Sequence, residues 1–434
     1  MEEIEISLHL SRTNQHTGMS PHSNSMNPRY QDPIVPVSRR QFIIGSSLAV
    51  GAAVLNSRPL LSVEPVNRPA GKLRAAIIGH TGRGDYGHGM DLIFNDRENI
   101  EIVAVADPVP AGRAKAAERG KALRQYDDYR VMLGKEKPEL VSIAPRWTDQ
   151  HFAMALAALE TGAHIYLEKP FTQTLAEADE LLVMADKAGL KLAVAHQMRL
   201  APNILHLKRA IEAGLIGDLV QVRAYGKQDQ RAGGEDLLVL GIHLFDLMRF
   251  FAGDAGWCTA RVLQDGHEIT RGDAHAAMEN IGPIAGDEIE AQFAFGRGVT
   301  ATFTSRAKLR STVEHWGMEL IGSKGTVRIL ADIFPTVYVL KSGKWEDSGR
   351  SERWQRLEND PTVNATPAER GVEAANRRVV DDWLAAIQNN REPICGGRAA
   401  TQALEMVMAI YHAALSGLRV ELPLKDRTHP LARP

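Results

Sequence analysis

Short apolar runs alternate with longer amphipathic stretches between residues 73 and 196, and this alternation predicts strands interleaved with helices. Apolar runs at Leu73–Ile78, Ile100–Ala106, Leu140–Ala144, His164–Leu167 and Leu190–Ala195 read as five buried strands. A helix is expected from the glycines after Ile78 to about Asn95. Others are expected over Pro110–Arg124, over Gln150–Glu160 with a stripe of Phe152, Met154, Ala155 and Leu159, and over Leu175–Lys187. Strands that are apolar on both faces and separated by helices form a parallel sheet covered on both sides, which is a doubly wound α/β domain.

The pattern changes after residue 196. Ile204–Gly214 and Gly241–Ala252 read as helices, and Leu219–Gly226 as a strand. Strand-like runs then follow in series: Trp257–Leu263, Ile289–Phe295, Val299–Thr304, Trp316–Ile321, Thr326–Leu330 and Thr336–Leu340. Tight turns such as Phe295-Gly296-Arg297-Gly298 predict antiparallel pairing. Lys341–Gly371 reads as a polar surface loop, and helices over 372–389 and 399–416 close the chain. The fold class is therefore α/β: an N-terminal doubly wound parallel sheet at 73–196, then an α+β domain at 197–425 with a large, mostly antiparallel sheet.

The first residues read differently. Residues 1–37 are polar and lack a hydrophobic period, which reads as disorder. Ser38-Arg39-Arg40-Gln41-Phe42-Ile43 precedes a 14-residue Gly/Ala/Ser-rich apolar run ending at Leu55. That run suits the core of a signal peptide better than a membrane span. Paired arginines in this register resemble a twin-arginine export signal, so residues 1–58 are expected to address the chain to the twin-arginine translocase and the periplasm. Residues 59–72, with Pro59, Pro65 and Pro69, read as a linker.

Composition narrows the function classes. The chain has 434 residues, with 51 Lys+Arg against 53 Asp+Glu and a net charge of −2. That balance gives no reason to expect nucleic acid as a partner. Two cysteines, Cys258 and Cys395, exclude a disulfide scaffold and a CxxC zinc site, and His80 and His88 lack a second ligand pair, so no metal site is expected.

Gly79-His80-Thr81-Gly82-Arg83-Gly84 follows the first strand, where a dinucleotide pyrophosphate would meet free N–H groups. Its spacing is G-x-x-G-x-G, and no Lys-Ser/Thr follows to make a P-loop. Asp107 ends the second strand 23 residues after Gly84, in place to accept from the adenosine ribose hydroxyls. Its charge opposes a 2′-phosphate and favours NAD over NADP, while Arg83 keeps NADP open.

Glu168-Lys169-Pro170 closes the fourth strand, and with the glycine turn it resembles the Gfo/Idh/MocA oxidoreductase family. Pro145 to His151 is similar to that family's P-x-x-x-H loop, and Gly241-Ile-His243-Leu-Phe-Asp246 to its G-x-H-x-x-D segment. Glu319 to Arg328 resembles its E-x-x-G-x-x-G hairpin, and Asp382 to Ile387, Pro393 and Leu422-Pro423 its C-terminal helix and tail. The resemblance spans nearly all of the chain after the linker. It implies a Rossmann domain followed by an open-sheet domain, tightly held NAD or NADP, a carbohydrate substrate, and a homo-oligomer formed through the second sheet.

The same resemblance implies that Lys169 and His243 are catalytic, since hydride removal needs an acceptor for the hydroxyl proton and a cation for the developing alkoxide. It places Pro145, His151 and Glu168 on the cofactor. Arg199, Tyr225 and Lys227 are candidate substrate contacts. Many dehydrogenases of the family carry Asp four residues before the histidine; here the position is Val239, with Glu235 or Asp236 as possible replacements. Three readings follow: an exported dehydrogenase of a sugar or cyclitol, an NAD-dependent glycosidase or lyase working by transient oxidation at C3, and a non-catalytic binding protein.

Overall fold

The computed structural model describes residues 71–307, 316–343, 352–357 and 368–432. The expected export signal and nearly all of the linker lie outside them. Six parallel strands form the first sheet: β1 (Leu73–Ile78), β2 (Ile100–Ala106), β3 (Arg124–Tyr126), β4 (Leu140–Ile143), β5 (His164–Leu167) and β6 (Leu192–Val194). Their order is β3-β2-β1-β4-β5-β6, so the winding reverses between β1 and β4, where open α/β sheets bind ligands. Four helices connect them: α1 (Pro110–Arg119), α2 (Tyr129–Glu136), α3 (His151–Glu160) and α4 (Leu175–Ala188). Along β1, Ala76 and Ile78 enter one core, while Ala75 and Ile77 enter the core on the opposite face. Burial on both faces is why these strands read as unbroken apolar runs.

The helix expected before Asn95 does not form; residues 81–96 are a chain of turns. Gly82, Gly84, Asp85, Gly87 and Gly89 all take positive φ, a conformation that a right-handed helix cannot contain. The helix that fills the space comes from the far end of the chain. It is α7 (Val372–Gln388), after α5 (Pro202–Glu212) and α6 (Ile242–Ala252) in the second half. Trp383 of α7 is fully buried, with its ring 6.4 Å from Phe94 and 6.2 Å from Tyr166. The helix expected over Pro110–Arg124 stops at Arg119, and the short β3 and α2 that follow went unread because β3 is largely exposed.

The second sheet is mixed and mostly antiparallel, with ten strands. Its centre is β7 (Leu219–Tyr225), which pairs in parallel with Thr300–Arg306 and antiparallel with Gly317–Gly322. One face packs on α6 and on α8 (Gly397–Ser416) through Phe245, Met248, Met408 and Tyr411, among others. The other face carries polar residues and cross-strand ion pairs, Arg306–Glu290 and Arg328–Glu319. Within the expected 341–371 loop, Gln355–Arg356 adds an edge strand; most of the remainder lies outside the described residues. Among the described residues, no helix is long and apolar enough to cross a membrane.

Six histidines are held neutral by burial: His151, His196, His243 and His412 are lowered, and His164 and His429 are pushed down to about 4. Unfolded imidazoles take up protons near pH 6.5, so below that pH the unfolded chain binds more protons and stability falls. The loss continues towards the folded-state values. Four carboxyls raised by burial, Asp91, Glu235, Asp236 and Glu392, work in the opposite direction but are fewer. The unfolding free energy from urea titration is therefore expected to be flat above about pH 7 and to fall as pH drops from about 6.5 to about 5, by up to ~1.4 kcal/mol per buried histidine per pH unit.

Candidate active site

Two loops meet where the sheet reverses: residues 79–89 after β1 and 144–150 after β4. Arg146 N donates to the Gly84 carbonyl at 3.2 Å, His80 Nδ1 lies 2.7 Å from Gln150 Oε1, and Arg83 pairs with Asp149. The loops touch backbone to backbone. A Cβ on Gly84, where φ is +88°, would lie 2.4 Å from Arg146 N and 2.6 Å from Trp147 N. Two cavities are lined by both loops. Gly79, His80 and Gln150 line the first, of about 230 Å³; His88 and Arg146 line the second, of about 240 Å³.

The first cavity also holds Asp107, Asp127 and Asp128. Asp107 is fully buried, its Oδ2 accepting from Thr81 N (3.0 Å) and Thr81 Oγ1 (2.7 Å) and its Oδ1 from Val109 N (2.8 Å). Oδ2 is saturated by the two Thr81 donors, while Oδ1 retains a lone-pair direction for a ribose hydroxyl. Three carboxylates against Arg130 make this a poor place for a 2′-phosphate and a fitting one for the unphosphorylated ribose of NAD. Arg83 is absent from this lining; it pairs with Asp149 and stacks over Trp147 at 5.5 Å, which removes the NADP argument built on it. The glycine turn opens no helix, so the N–H groups at the crossing belong to successive turns. Gly84→Val is expected to force the two loops apart and weaken NAD binding about tenfold or more, read by calorimetric titration with NAD.

The second cavity is built on Lys169, at the C-terminal end of β5 and 5% exposed. Its Nζ donates to the Val239 carbonyl at 3.0 Å. Val239 lies in a π-turn, Leu237–Gly241, which departs from the usual helical bonding register, and its carbonyl accepts the ammonium. Burial pulls the Lys169 ammonium down, opposed by Glu168 and Glu279. Glu168 is fully buried, pairs with His88 and accepts from Lys169 N at 2.9 Å. Burial alone would raise that carboxyl; His88 and Lys169 outweigh it and bring it to about 2. Glu168 thus fixes the β1 loop and the lysine rather than presenting itself to a ligand.

His243 lines the same cavity, with Nδ1 buried and unpartnered. Its ring packs edge-on against His196 (5.6 Å) and Trp316 (6.3 Å). Burial, then the Lys169 charge, holds it well below the usual imidazole value. It is the second residue of α6, near the helix start as expected, and directly after the π-turn of a helical run that begins at Gly234. Neither proposed replacement for the absent Asp reaches it. Asp236 accepts from Ser305 Oγ (2.7 Å) and the Lys227 and Gln228 amides (3.3 Å each), and Glu235 lies near the Met278–Glu279 backbone.

The structure gathers Lys169, His243 and Lys227 around one cavity and sets other candidates apart. Arg199 lines neither cavity; it is buried and bound to Asp246, Nε to Oδ2 at 2.8 Å and Nη2 to the backbone carbonyl at 3.0 Å. Tyr225 points to a different depression with Glu319 and Arg328. His151 is fully buried, with Nε2 2.7 Å from the Pro145 carbonyl and Nδ1 2.9 Å from the Pro170 carbonyl. It ties the β4 loop to the Lys169–Pro170 turn, so both it and Pro145 position the site from behind. Reasoning from sequence missed Arg146, Trp316, Arg231 and Glu279. Arg146 lay inside a quoted motif; the others come from segments with no spacing signal.

Dinucleotide-dependent oxidation is the chemistry that such a crossing, ending at a buried lysine, serves. Residues 73–196 match the profile of an oxidoreductase family described as an NAD-binding Rossmann fold, and residues 208–422 match its C-terminal alpha/beta domain. The chain belongs to the Gfo/Idh/MocA oxidoreductase family. It is 27% identical over 377 residues to a D-apiose dehydrogenase of Paraburkholderia graminis, covering 83% of this chain and 92% of that one. Identity to a scyllo-inositol 2-dehydrogenase (NAD(+)) of Bacillus subtilis is 25% over 329 residues, covering 70% and 94%. The fold superposes on a levoglucosan dehydrogenase solved with NADH and levoglucosan, with a TM-score of 0.67 at 19% identity, over 81% of this chain and 100% of that one.

Proposed function

We propose that the protein is an exported, NAD-dependent dehydrogenase that oxidises a secondary hydroxyl of a small carbohydrate in the Lys169–His243 cavity. The observation that carries this reading is buried Lys169, held by the Val239 carbonyl, sharing with His243 a cavity that the β1 and β4 loops also line. His243 accepts the hydroxyl proton, since burial keeps its imidazole neutral and the residue lines the cavity. Lys169, in its ammonium form, steadies the negative charge that grows on the oxygen as the proton leaves. NAD, when bound, takes up the hydride from the same carbon, leaving a carbonyl. Asp107, Thr81 and the Gly79–Gly84 turn hold the dinucleotide.

Export through the twin-arginine route suits an enzyme that acquires its nucleotide before leaving the cytoplasm. The polar sheet face, with its cross-strand ion pairs, is the proposed surface for a second copy of the chain. The test is to incubate the protein with NAD and a panel of sugars, cyclitols and glycosides, following both NADH and the carbohydrate products. Stoichiometric NADH with an oxidised product supports the reading. Glycoside cleavage without net NADH would replace it with the redox-neutral route, and failure to bind NAD would overturn both.

A further inference from the structure

The Lys169–His243 cavity is lined by four cationic side chains, Arg146, Lys169, Lys227 and Arg231, against one acidic residue, Glu279. Two of the four are neutralised within the protein. Lys169 stands in front of buried Glu168, and Arg231 is held by Asp229 through Nε (3.1 Å) and Nη2 (2.5 Å), with Glu279 at 3.6 Å. Lys227 has a share in Asp229 only at 3.9 Å and lies 6.0 Å from the Trp316 ring centre. Arg146 makes no side-chain hydrogen bond or ion pair among the described residues, and its Nε is buried without an acceptor. Trp316 Nε1 is likewise a buried donor with nothing to donate to. Buried donors are ordinarily satisfied, and Arg146 and Trp316 both line the cavity proposed to take the substrate. Arg146 is half-buried, with only its Nε shut away from solvent; a neutral sugar bound over it would supply hydroxyls but would strip water from a guanidinium that has no counter-charge, which is costly. A planar, two-oxygen anion matches the guanidinium fork and supplies the missing charge.

We infer that the carbohydrate oxidised here carries a carboxylate, a sugar acid of the uronate or aldonate class, recognised by Arg146 with Lys227. The inference rests on the dehydrogenase reading above. Its test compares D-glucuronate and D-gluconate with D-glucose and myo-inositol on the NAD-loaded enzyme, with D-glucose 6-phosphate as a second anion. The acids are expected to exceed the neutral compounds about tenfold or more in kcat/KM. Arg146→Gln and Lys227→Gln should each raise KM for the acid by about 10–100-fold and collapse the acid-to-neutral ratio, as loss of a charge-assisted hydrogen bond does. Raised salt should weaken the acids selectively. Preference for neutral sugars, or for the phosphate ester, overturns the inference while leaving the dehydrogenase reading intact. So does an Arg146→Gln variant that loses NAD affinity but retains the acid. A separate calorimetric titration of the NADH-loaded protein with gluconate and glucuronate decides the case in which nothing is oxidised. Binding that Arg146→Gln abolishes supports acid recognition even though the dehydrogenase reading has failed, and absence of binding overturns it.

Discussion

Lys169→Met is expected to lower the rate of carbohydrate oxidation on the order of 10³-fold, with NAD affinity changed by no more than a few-fold. The size follows from what the ammonium does. Lys169 is buried and fixed through the Val239 carbonyl; on the proposed mechanism its ammonium faces the forming alkoxide, and groups in such positions contribute about 10²–10⁴-fold. Methionine keeps the length and apolar stem of lysine without the charge, so the change reads chemistry rather than packing. NAD affinity is expected to hold because the residues proposed to bind it, the Gly79–Gly84 turn and Asp107, lie on other strands. Lys169→Arg is not expected to rescue, because a planar fork cannot replace a compact ammonium at one carbonyl in a closed pocket. Steady-state kcat at saturating NAD, with titration calorimetry for the nucleotide, checks this. Activity within tenfold of the parent would remove Lys169 from the reaction.

Asp246→Ala is expected to cost about 3–5 kcal/mol of stability, the largest such effect here, because it strands a buried guanidinium. Asp246 is 1% exposed and Arg199 8%. Burial alone would raise the Asp246 carboxyl; Arg199 and then His196 outweigh it and hold it below its ordinary value. With the carboxylate gone, Arg199 retains a backbone carbonyl of residue 246 and a contact with the Phe250 ring at 5.2 Å, neither of which balances its charge. Replacing both partners, Arg199→Met with Asp246→Leu, is expected to recover most of the loss, since neither charge is then left alone. Urea unfolding monitored by tryptophan fluorescence separates the outcomes. An Asp246→Ala protein as stable as its parent, but with a raised substrate KM, would return Arg199 to the substrate.

The parts legible in the sequence are those governed by local period. Leu73–Ile78, Ile100–Ala106 and His164–Leu167 are strands over the residues their apolar runs mark, and Thr326–Leu330 and Thr336–Leu340 likewise. Its motif puts Lys169 just past a strand end, and the structure sets it in the cavity with His88 and Arg146. What failed depends on distant chain. The residues after β1 are apolar enough for a helix, but their positive-φ positions coil them into turns, and Trp383, some 290 residues later, covers them. Arg199 and Asp246 were both noticed, yet their pairing joins residues 47 positions apart and carries no spacing rule. The absence of Asp at Val239 looked like a loss of chemistry. A side-chain inventory could not show that the backbone carbonyl there accepts from Lys169.

The most direct test of the central claim is isotopic. A carbohydrate found to turn over is prepared with deuterium on the carbon to be oxidised, mixed with the NAD-loaded protein, and the nucleotide is recovered and analysed by mass spectrometry. The account predicts one deuterium in each NADH formed, with transfer lost in Lys169→Met. Deuterium appearing in water instead, with no labelled NADH, would contradict direct transfer in this cavity.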